Sequence, residues 1–363
     1  MSCQCGQNAR FVSYRSKTVL TSVGDVTVRR AYYHCSSCRT GQLPYDRTSG
    51  LGTGQLSNRL ASMTCLLAAQ SSFEEVSRTL YELLGFRIDD NMLAATAERA
   101  GAVVLARQDA AIEESLANRR PPAPEAKPRR LYISTDGTTA PTQDGWREVK
   151  CGAVYWDDPV QGHQARYVGR IENCQSAGQR LWHLACRYGL RQAEEVVVIG
   201  DGAPWIWNQA KQHFRRARQI LDWYHASEHV WACAYGLHGE GTKKAKAWAK
   251  RMLDVLYDHG GRILLKRLWR SRNSYKSPPT ALDDLIGYVT PNAARMDYPS
   301  YRSEGLHIGS GPIESACKRL VGGRLKGPGM RWSVCGADAV LALCITWING
   351  HWRDLWESKP LAA

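Results

Sequence analysis

Two aspartates in this chain stand where an apolar run meets a glycine: Asp136 in LYISTDGT and Asp201 in VVVIGDGAPWIW. In open α/β sheets, ligands and catalytic groups gather at the carboxyl ends of the strands. Two carboxylates there can share divalent cations, and an all-oxygen donor set suits Mg²⁺ or Mn²⁺. In a two-metal site one ion activates a water or hydroxyl and the other stabilises the departing oxygen of a phosphoryl transfer, so the protein need only fix the carboxylates. Gly137, Gly200 and Gly202 would leave room for a phosphodiester and for a tight turn into a helix. Each aspartate alone has a plainer reading, and Asp201 in particular could cap the helix that follows it. A third acid is expected. Glu314, in the first turn of a helix in GSGPIESACKRL, fills that place, although glutamate is favourable there in any case; Glu304 is the rival. Trp205 and Trp207 follow Asp201 and read either as core indoles or as a stacking surface for a terminal base.

The elements that must hold these residues follow from periodicity. RLYISTDG reads as a strand, WREVKCGAVYWD and QARYVGRIE as two alternating strands, and SAGQRLWHLACRYGL as a helix. EVVVIGDG is a strand, APWIWNQAKQHF a helix, and ARQILDWYH a strand running into a helix. The unbroken run VVVIG suits a central strand covered on both faces. The order β-β-β-α-β-α-β is that of an RNase H-like domain of the α/β class. It is expected over residues 131–229, resuming over 306–363 and closing with the helix SVCGADAVLALCITWINGHW. Residues 230–305 read as a basic α-helical insertion between the second and third acids. Within 241–277 stand eleven Lys/Arg and two Asp: Lys243, Lys244, Lys246, Lys250, Arg251, Arg262, Lys266, Arg267, Arg270, Arg272 and Lys276. Immediately after Glu314 come Lys318, Arg319, Arg324, Lys326 and Arg331 with no acid among them. Basic side chains so placed would hold phosphates near the metals, the alternative being a solvated surface.

Before the catalytic region the chain reads as two small domains and a linker. Residues 1–50 carry Cys3, Cys5, Cys35 and Cys38 at the two ends of a β-hairpin, RFVSYRSKTVL and VTVRRAYYH. That describes a zinc ribbon, whose metal would supply stability that so small a core lacks. The first pair is Cys-x-Cys, one residue short of the usual spacing, so His34 is a possible substitute ligand. Residues 51–117 read as helices, with Ser72 and Glu75 as a capping box and the outline of a helix-turn-helix DNA reader. Residues 118–130 hold four prolines and read as a stiff linker.

The 363-residue length allows two or three domains. A net charge of +14 points to a polyanionic partner, with nucleic acid the usual one. No apolar run reaches membrane-spanning length, so a cytoplasmic protein without a membrane partner is expected. Of the 12 cysteines, Cys65, Cys186, Cys233 and Cys344 stand singly in apolar segments and read as core thiols.

The segments TDGT (135–138), WREVKCGAVY (146–155), VIGDGAPWIW (198–207), ILDWYHASEH (220–229) and IESACKRLVGGRLKGPGMRW (313–332) resemble the ISKra-type insertion-sequence transposases. These belong to the Mutator-like DDE transposases, and the resemblance covers nearly the whole chain. It implies an RNase H-like core with a helical insertion, a catalytic triad of Asp136, Asp201 and Glu314, and a two-metal Mg²⁺ or Mn²⁺ site. The group also carries a Cys/Asp-x-x-His motif after the second acid, which Asp222-Trp-Tyr-His225 fits. His225 would orient a phosphate oxygen or the nucleophile while Asp222 fixes its tautomer. Asp222, His225 and His229 also allow a zinc reading, and either histidine could be an ordinary core residue. The implied partners are double-stranded DNA, as transposon ends and target, and a second copy or larger assembly on DNA. The implied location is the bacterial nucleoid. The implied activity is strand cleavage and 3′-hydroxyl transfer; a nuclease without strand transfer and a non-catalytic DNA-binding regulator are the alternatives. The chain departs from the family in its Cys-x-Cys pair and in starting directly at the ribbon.

Overall fold

A computed structural model of the chain describes residues 1–49, 51, 54–118 and 120–357. The expected boundary at residue 50, Arg119 of the linker and the end of the last segment at 358–363 lie outside the described residues. In chain order the elements are β1 (Arg10–Thr21), β2 (Gly24–His34), β3 (Gly41–Gln42), α1 (Pro44–Ser49), α2 (Asn58–Ala68), α3 (Phe73–Leu84) and α4 (Asp90–Ala117). Next come β4 (Arg130–Thr142), β5 (Gly145–Asp158), β6 (Gly162–Arg170), α5 (Cys174–Arg187), β7 (Glu195–Gly200), α6 (Pro204–His213) and β8 (Arg218–Leu221). The helices α7 (Trp223–His238), α8 (Lys243–Asn273), α9 (Thr280–Asn292), α10 (Tyr298–Ser303) and α11 (Gly311–Ala316) follow. A π-helical turn at Cys317–Gly322, then α12 (Gly323–Leu325), α13 (Val334–Ile348) and α14 (Trp352–Glu357), complete the chain. The fold is mixed α/β. No helix among the described residues is long and apolar enough to cross a membrane.

The chain divides into two compact units. One comprises Met1–Glu113, Thr139–Arg147 and Arg319–Ala363; the other comprises Glu114–Thr138 and Glu148–Lys318. Near the C-terminus the units divide between Lys318 and Arg319.

In the first unit, β1, β2 and β3 form an antiparallel sheet. Ser57 and Ser72 cap α2 and α3 by accepting the amides of Leu60 and Glu75, and Gly85 ends α3 in the left-handed region at φ 78°. The segment VLALCITWI lies within α13, whose residues Gly336–Thr346 are all buried. Its Cys344 thiol donates to the Ala69 carbonyl at 3.0 Å. A Cβ at Gly101 would lie 2.1 Å from the Ala339 carbonyl oxygen, so only a residue without a side chain lets α4 and α13 approach this closely.

The second unit is built on a sheet ordered β6-β5-β4-β7-β8. β5 and β6 pair antiparallel, and the two-residue connection from β4 to β5 can only join antiparallel neighbours. β4, β7 and β8 are parallel. Leu131–Thr135 and Val149–Trp156 are buried at every position, as strands covered on both faces require. The proline-rich segment is not a free tether: Glu125 donates its amide to the Arg187 carbonyl at 2.7 Å and pairs with the Arg187 guanidinium at 2.6 Å. The basic helical segment packs as α7 with α8 and α9, and α8 with α10. α8 breaks at Gly260, whose φ of 76° no helix allows.

Candidate functional site: a row of carboxylates at the strand ends

The register of the parallel strands sets the site. Ser134 pairs with Ile199 and Gly200 with Leu221. Continuing each ladder places Asp136 beside Asp201 and Asp201 beside Asp222, so three neighbouring strands carry an aspartate at one level; β7 and β8 end just before theirs, whereas β4 does not end at Asp136 as expected but runs on to Thr142. Parallel neighbours lie about 4.8 Å apart, close enough for each charge to act on the next. Burial foremost, with the Asp201 charge adding, holds the Asp136 carboxyl above its ordinary range.

The three aspartates are held differently. Asp136 Oδ1 accepts the Gly137 amide at 2.7 Å, and its Oδ2 lies 3.7 Å from the Cys317 thiol. Asp201 Oδ1 accepts the Ala203 amide at 2.8 Å. Asp201 does not cap α6, however: the cap position is Ala203, followed by Pro204. Asp222 is the true cap. It has no exposed surface; its Oδ1 accepts the amides of Tyr224 and His225 at 2.6 and 3.1 Å, and its Oδ2 accepts that of Ser310. Burial opposes the Asp222 charge, but the contacts with His225 and Ser310 outweigh it and hold the carboxyl below its ordinary range.

His225 Nδ1 lies 3.6 Å from Asp222 Oδ1, beyond hydrogen-bond length but well inside ion-pair range. The carboxylate raises the imidazole to about 9 against the pull of burial, so the ring is an imidazolium at neutral pH. Glu314 joins this pair: ligand atoms of Asp222, His225 and Glu314 all lie within 4.8 Å of one another, a group that, among the described residues, does not include Asp136 or Asp201; His225 could ligate a cation there only as the neutral ring. The loop before α11 brings Glu314 there. Ile308 accepts the Trp223 amide at 2.9 Å, Ser310 binds Asp222, and His307 Nε2 lies 3.0 Å from Asp157. Cys317, one turn beyond Glu314, reaches Asp136. The rival Glu304 is elsewhere, paired with Arg218 at the opposite end of β8 and with Ser300.

His229 is not part of the group. It stacks on Tyr288 with ring centroids 3.6 Å apart, and burial lowers its pKa. Trp207 is a core indole under the Arg295 guanidinium. Trp205 is half-buried, its ring 4.1 Å from Lys150 Nζ. The glycines do not leave open approaches. A Cβ at Gly137 would meet Glu148 Oε1 and one at Gly200 would meet Ile206. Gly202 adopts φ +105° between Leu221 and Tyr288, so its role is the left-handed turn.

Sequence reasoning missed three supports. The Tyr288 hydroxyl on α9 donates to the Asp201 carbonyl at 2.7 Å. Ser310 binds Asp222 through its amide, and Glu148 stands beside Gly137 with Lys150 Nζ at 2.6 Å. None lies near its partner in sequence except Glu148, whose alternating strand could have flagged it.

Among the predicted phosphate contacts, Lys243, Lys244, Lys246, Lys250, Arg251, Lys266, Arg267 and Arg270 on α8 are exposed, as are Lys318, Arg319, Lys326 and Arg331. Arg324 is not available to a phosphate. It is 2% exposed, donates from Nε to the Ala68 carbonyl at 2.5 Å, and lies over the rings of Trp332 and Phe73.

In the first unit the hairpin register, Arg10 opposite His34, returns the chain start to the 35–38 turn. The Sγ atoms of Cys3, Cys5, Cys35 and Cys38 lie within 4.8 Å of one another, with Cys3–Cys38 at 3.5 Å and Cys5–Cys35 at 3.7 Å. His34 is outside this group. Disulfides would need about 2.05 Å, whereas a tetrahedral ion with bonds of about 2.3 Å separates its sulfurs by about 3.8 Å. Gln42 Nε2 donates to Cys3 Sγ at 2.9 Å, and the Thr40 hydroxyl, with Cys3, lowers the Cys38 thiol to about 6.

No curated protein matches the chain. Residues 6–357, which contain the whole carboxylate row and the helices between Asp222 and Glu314, match the uncharacterised protein family UPF0236, and the protein belongs to that family.

Proposed function

We propose that the protein is a DNA strand transferase, a DDE transposase of an insertion sequence, with Asp136, Asp201 and Glu314 as its acidic triad. The observation that carries this reading is the aspartate row across three parallel strands, to which α11 returns Glu314 beside Asp222 and His225 after a long helical excursion. The strand order, with three antiparallel strands followed by two parallel ones on the far side of the first, supports an RNase H-like core. The resemblance to ISKra-type transposases supports the substrate class.

The donor set fits a hard divalent cation. Asp136 and Asp201 are adjacent carboxylates; the Asp201 charge adds to burial in raising the Asp136 carboxyl, and His225 opposes that rise. Mg²⁺ or Mn²⁺ held by Asp136, Asp201 and Glu314 would supply charge neutralisation and activation of water or a 3′-hydroxyl. The chain's own residues supply the rest. The His225 imidazolium donates to a non-bridging phosphate oxygen, Asp222 holds that ring charged, and Tyr288 fixes the backbone of the Asp201 turn. The exposed cations of α8 neutralise DNA phosphates. Two element ends require two copies of the chain. The cysteine quartet we assign to structural Zn²⁺ on its sulfur spacing.

The test incubates purified protein, Mg²⁺, end DNA and a supercoiled plasmid. Asp136→Asn, Asp201→Asn and Glu314→Gln should each lower strand joining by more than about a hundredfold, while Glu304→Gln retains it. Full activity in any of the first three variants refutes the triad. Free ends without joined products would reassign the protein as a nuclease.

A further inference from the structure

The β1–β2 hairpin has two unlike faces. One carries Lys17, Val19, Val28 and Arg30; Val19 and Arg30 are buried, and Arg30 pairs with Asp46 of α1 at 2.5 Å. The other presents Tyr14, Ser16 and Thr18 opposite Ala31, Arg29 and Thr27. This face is open: Tyr14 is 57% and Phe11 51% exposed.

Residues three apart on a regular strand point to opposite faces, so Phe11 and Tyr14 should not meet. Between Phe11 and Ser13 the register slips, leaving Val12 without a cross-strand partner. Such a bulge re-aims the side chain beside it. The rings of Phe11 and Tyr14 accordingly meet edge to face at 5.2 Å, and Tyr33 joins at 5.9 Å from Phe11. The Arg29 guanidinium lies 4.5 Å from the Tyr14 ring centroid. Hydroxyls of Ser16, Thr18 and Thr27 continue the face, which carries an acid only at its turn end, where Asp25 pairs with Leu20. The hairpin's single acid, Asp25, sits next to the turn, against five Lys/Arg between residues 10 and 34.

Solvent-facing rings beside a guanidinium and hydroxyls match the two surfaces of a nucleic acid strand, a base π-face and a phosphate. In a duplex the base faces are covered by their neighbours, so rings that project from a sheet find partners only where bases are unpaired. We infer that the open face of the β1–β2 hairpin is a platform for single-stranded nucleic acid. Phe11 and Tyr14 stack on bases, and Arg29 meets the phosphate between them. The proposal rests on the strand-transferase reading only for the origin of the unpaired strand, such as a frayed or cut element end. The binding itself needs no catalysis.

The probe is a fluorescein-labelled oligothymidylate of about 15 nucleotides, within the usual site sizes, read by anisotropy on the full chain beside a duplex of equal length. Phe11→Ala with Tyr14→Ala should weaken oligothymidylate binding by about tenfold per ring and leave duplex binding unchanged. Tyr14→Phe should bind as the parent does. Arg29→Gln should lower the slope of log K against log salt by about 0.7. A photo-crosslink from 5-iodouracil in the oligonucleotide should fall within residues 10–15. Unchanged oligothymidylate affinity in the double variant overturns the proposal, as does an equal loss on single strand and duplex. Strand joining that fails while this binding holds would refute the transferase reading and leave the platform standing.

Discussion

Asp222→Asn separates charge from shape at the centre of the site. The carboxylate has no exposed surface, and it alone accounts for most of the rise of His225 to about 9. Asparagine keeps an oxygen for the amides of Tyr224 and His225, but its NH₂ then faces the Ser310 amide, donor against donor. That mismatch costs about 1–3 kcal/mol. With the charge gone, burial governs the ring, and its pKa should fall to about 6.5. The imidazole side chain is 34% exposed, so the lost ion pair is worth about 1–2 kcal/mol after screening. The total at pH 7 is about 2–5 kcal/mol. The sign of the pH dependence follows from the raised histidine. Its stabilising share is full below about 6.5 and is lost as pH rises through about 9. Urea midpoints of parent and variant should therefore differ most near pH 6 and draw together towards pH 10, leaving the Ser310 mismatch. Histidine ring NMR across the same range reads the pKa directly. A His225 that still titrates near 9 in Asp222→Asn, or a stability gap that is the same at both pH extremes, refutes the pairing.

Protein grown with zinc should carry one equivalent at the four cysteines. Cys38→Ser should lose it while His34→Ala keeps it, as measured by elemental analysis. Because all four sulfurs must be thiolates to hold the ion, acid should displace the metal. Arg324→Met should destabilise the first unit by about 1–3 kcal/mol by orphaning the Ala68 carbonyl, with no change in the salt dependence of DNA binding. Arg267→Gln should do the reverse, lowering the slope by about 0.9; equal slope changes in both would contradict the burial of Arg324.

What the sequence makes legible here is what depends on near neighbours. Apolar runs that end on Asp136 and Asp201 declare their strands, and Ser72 and Glu75 declare a helix start. The cysteine quartet survives its irregular spacing because hairpin register, not spacing, gathers it. The contacts that finish the site are long in sequence. Ser310 reaches Asp222 across 88 residues and Tyr288 reaches Asp201 across 87. No local pattern encodes them. Arg324 shows the same limit in reverse: in a basic run it reads as surface, and only Ala68, 256 residues away, shows it to be core. The glycines misled for a related reason, since an absent side chain looks the same in sequence whether a ligand or a neighbouring side chain takes the space.

The distance along the chain from Asp136 to Cys317, 181 residues, also sets a clock. At about 5–20 residues per second, the ribosome releases α11 roughly ten to forty seconds after the first aspartate. Until then the row holds three carboxylates without Glu314, and Asp222 lacks the amide that seats the α11 loop. On the strand-transferase proposal, a product arrested before α11 lacks the third acid, so activity would wait on synthesis of roughly the last seventh of the polypeptide.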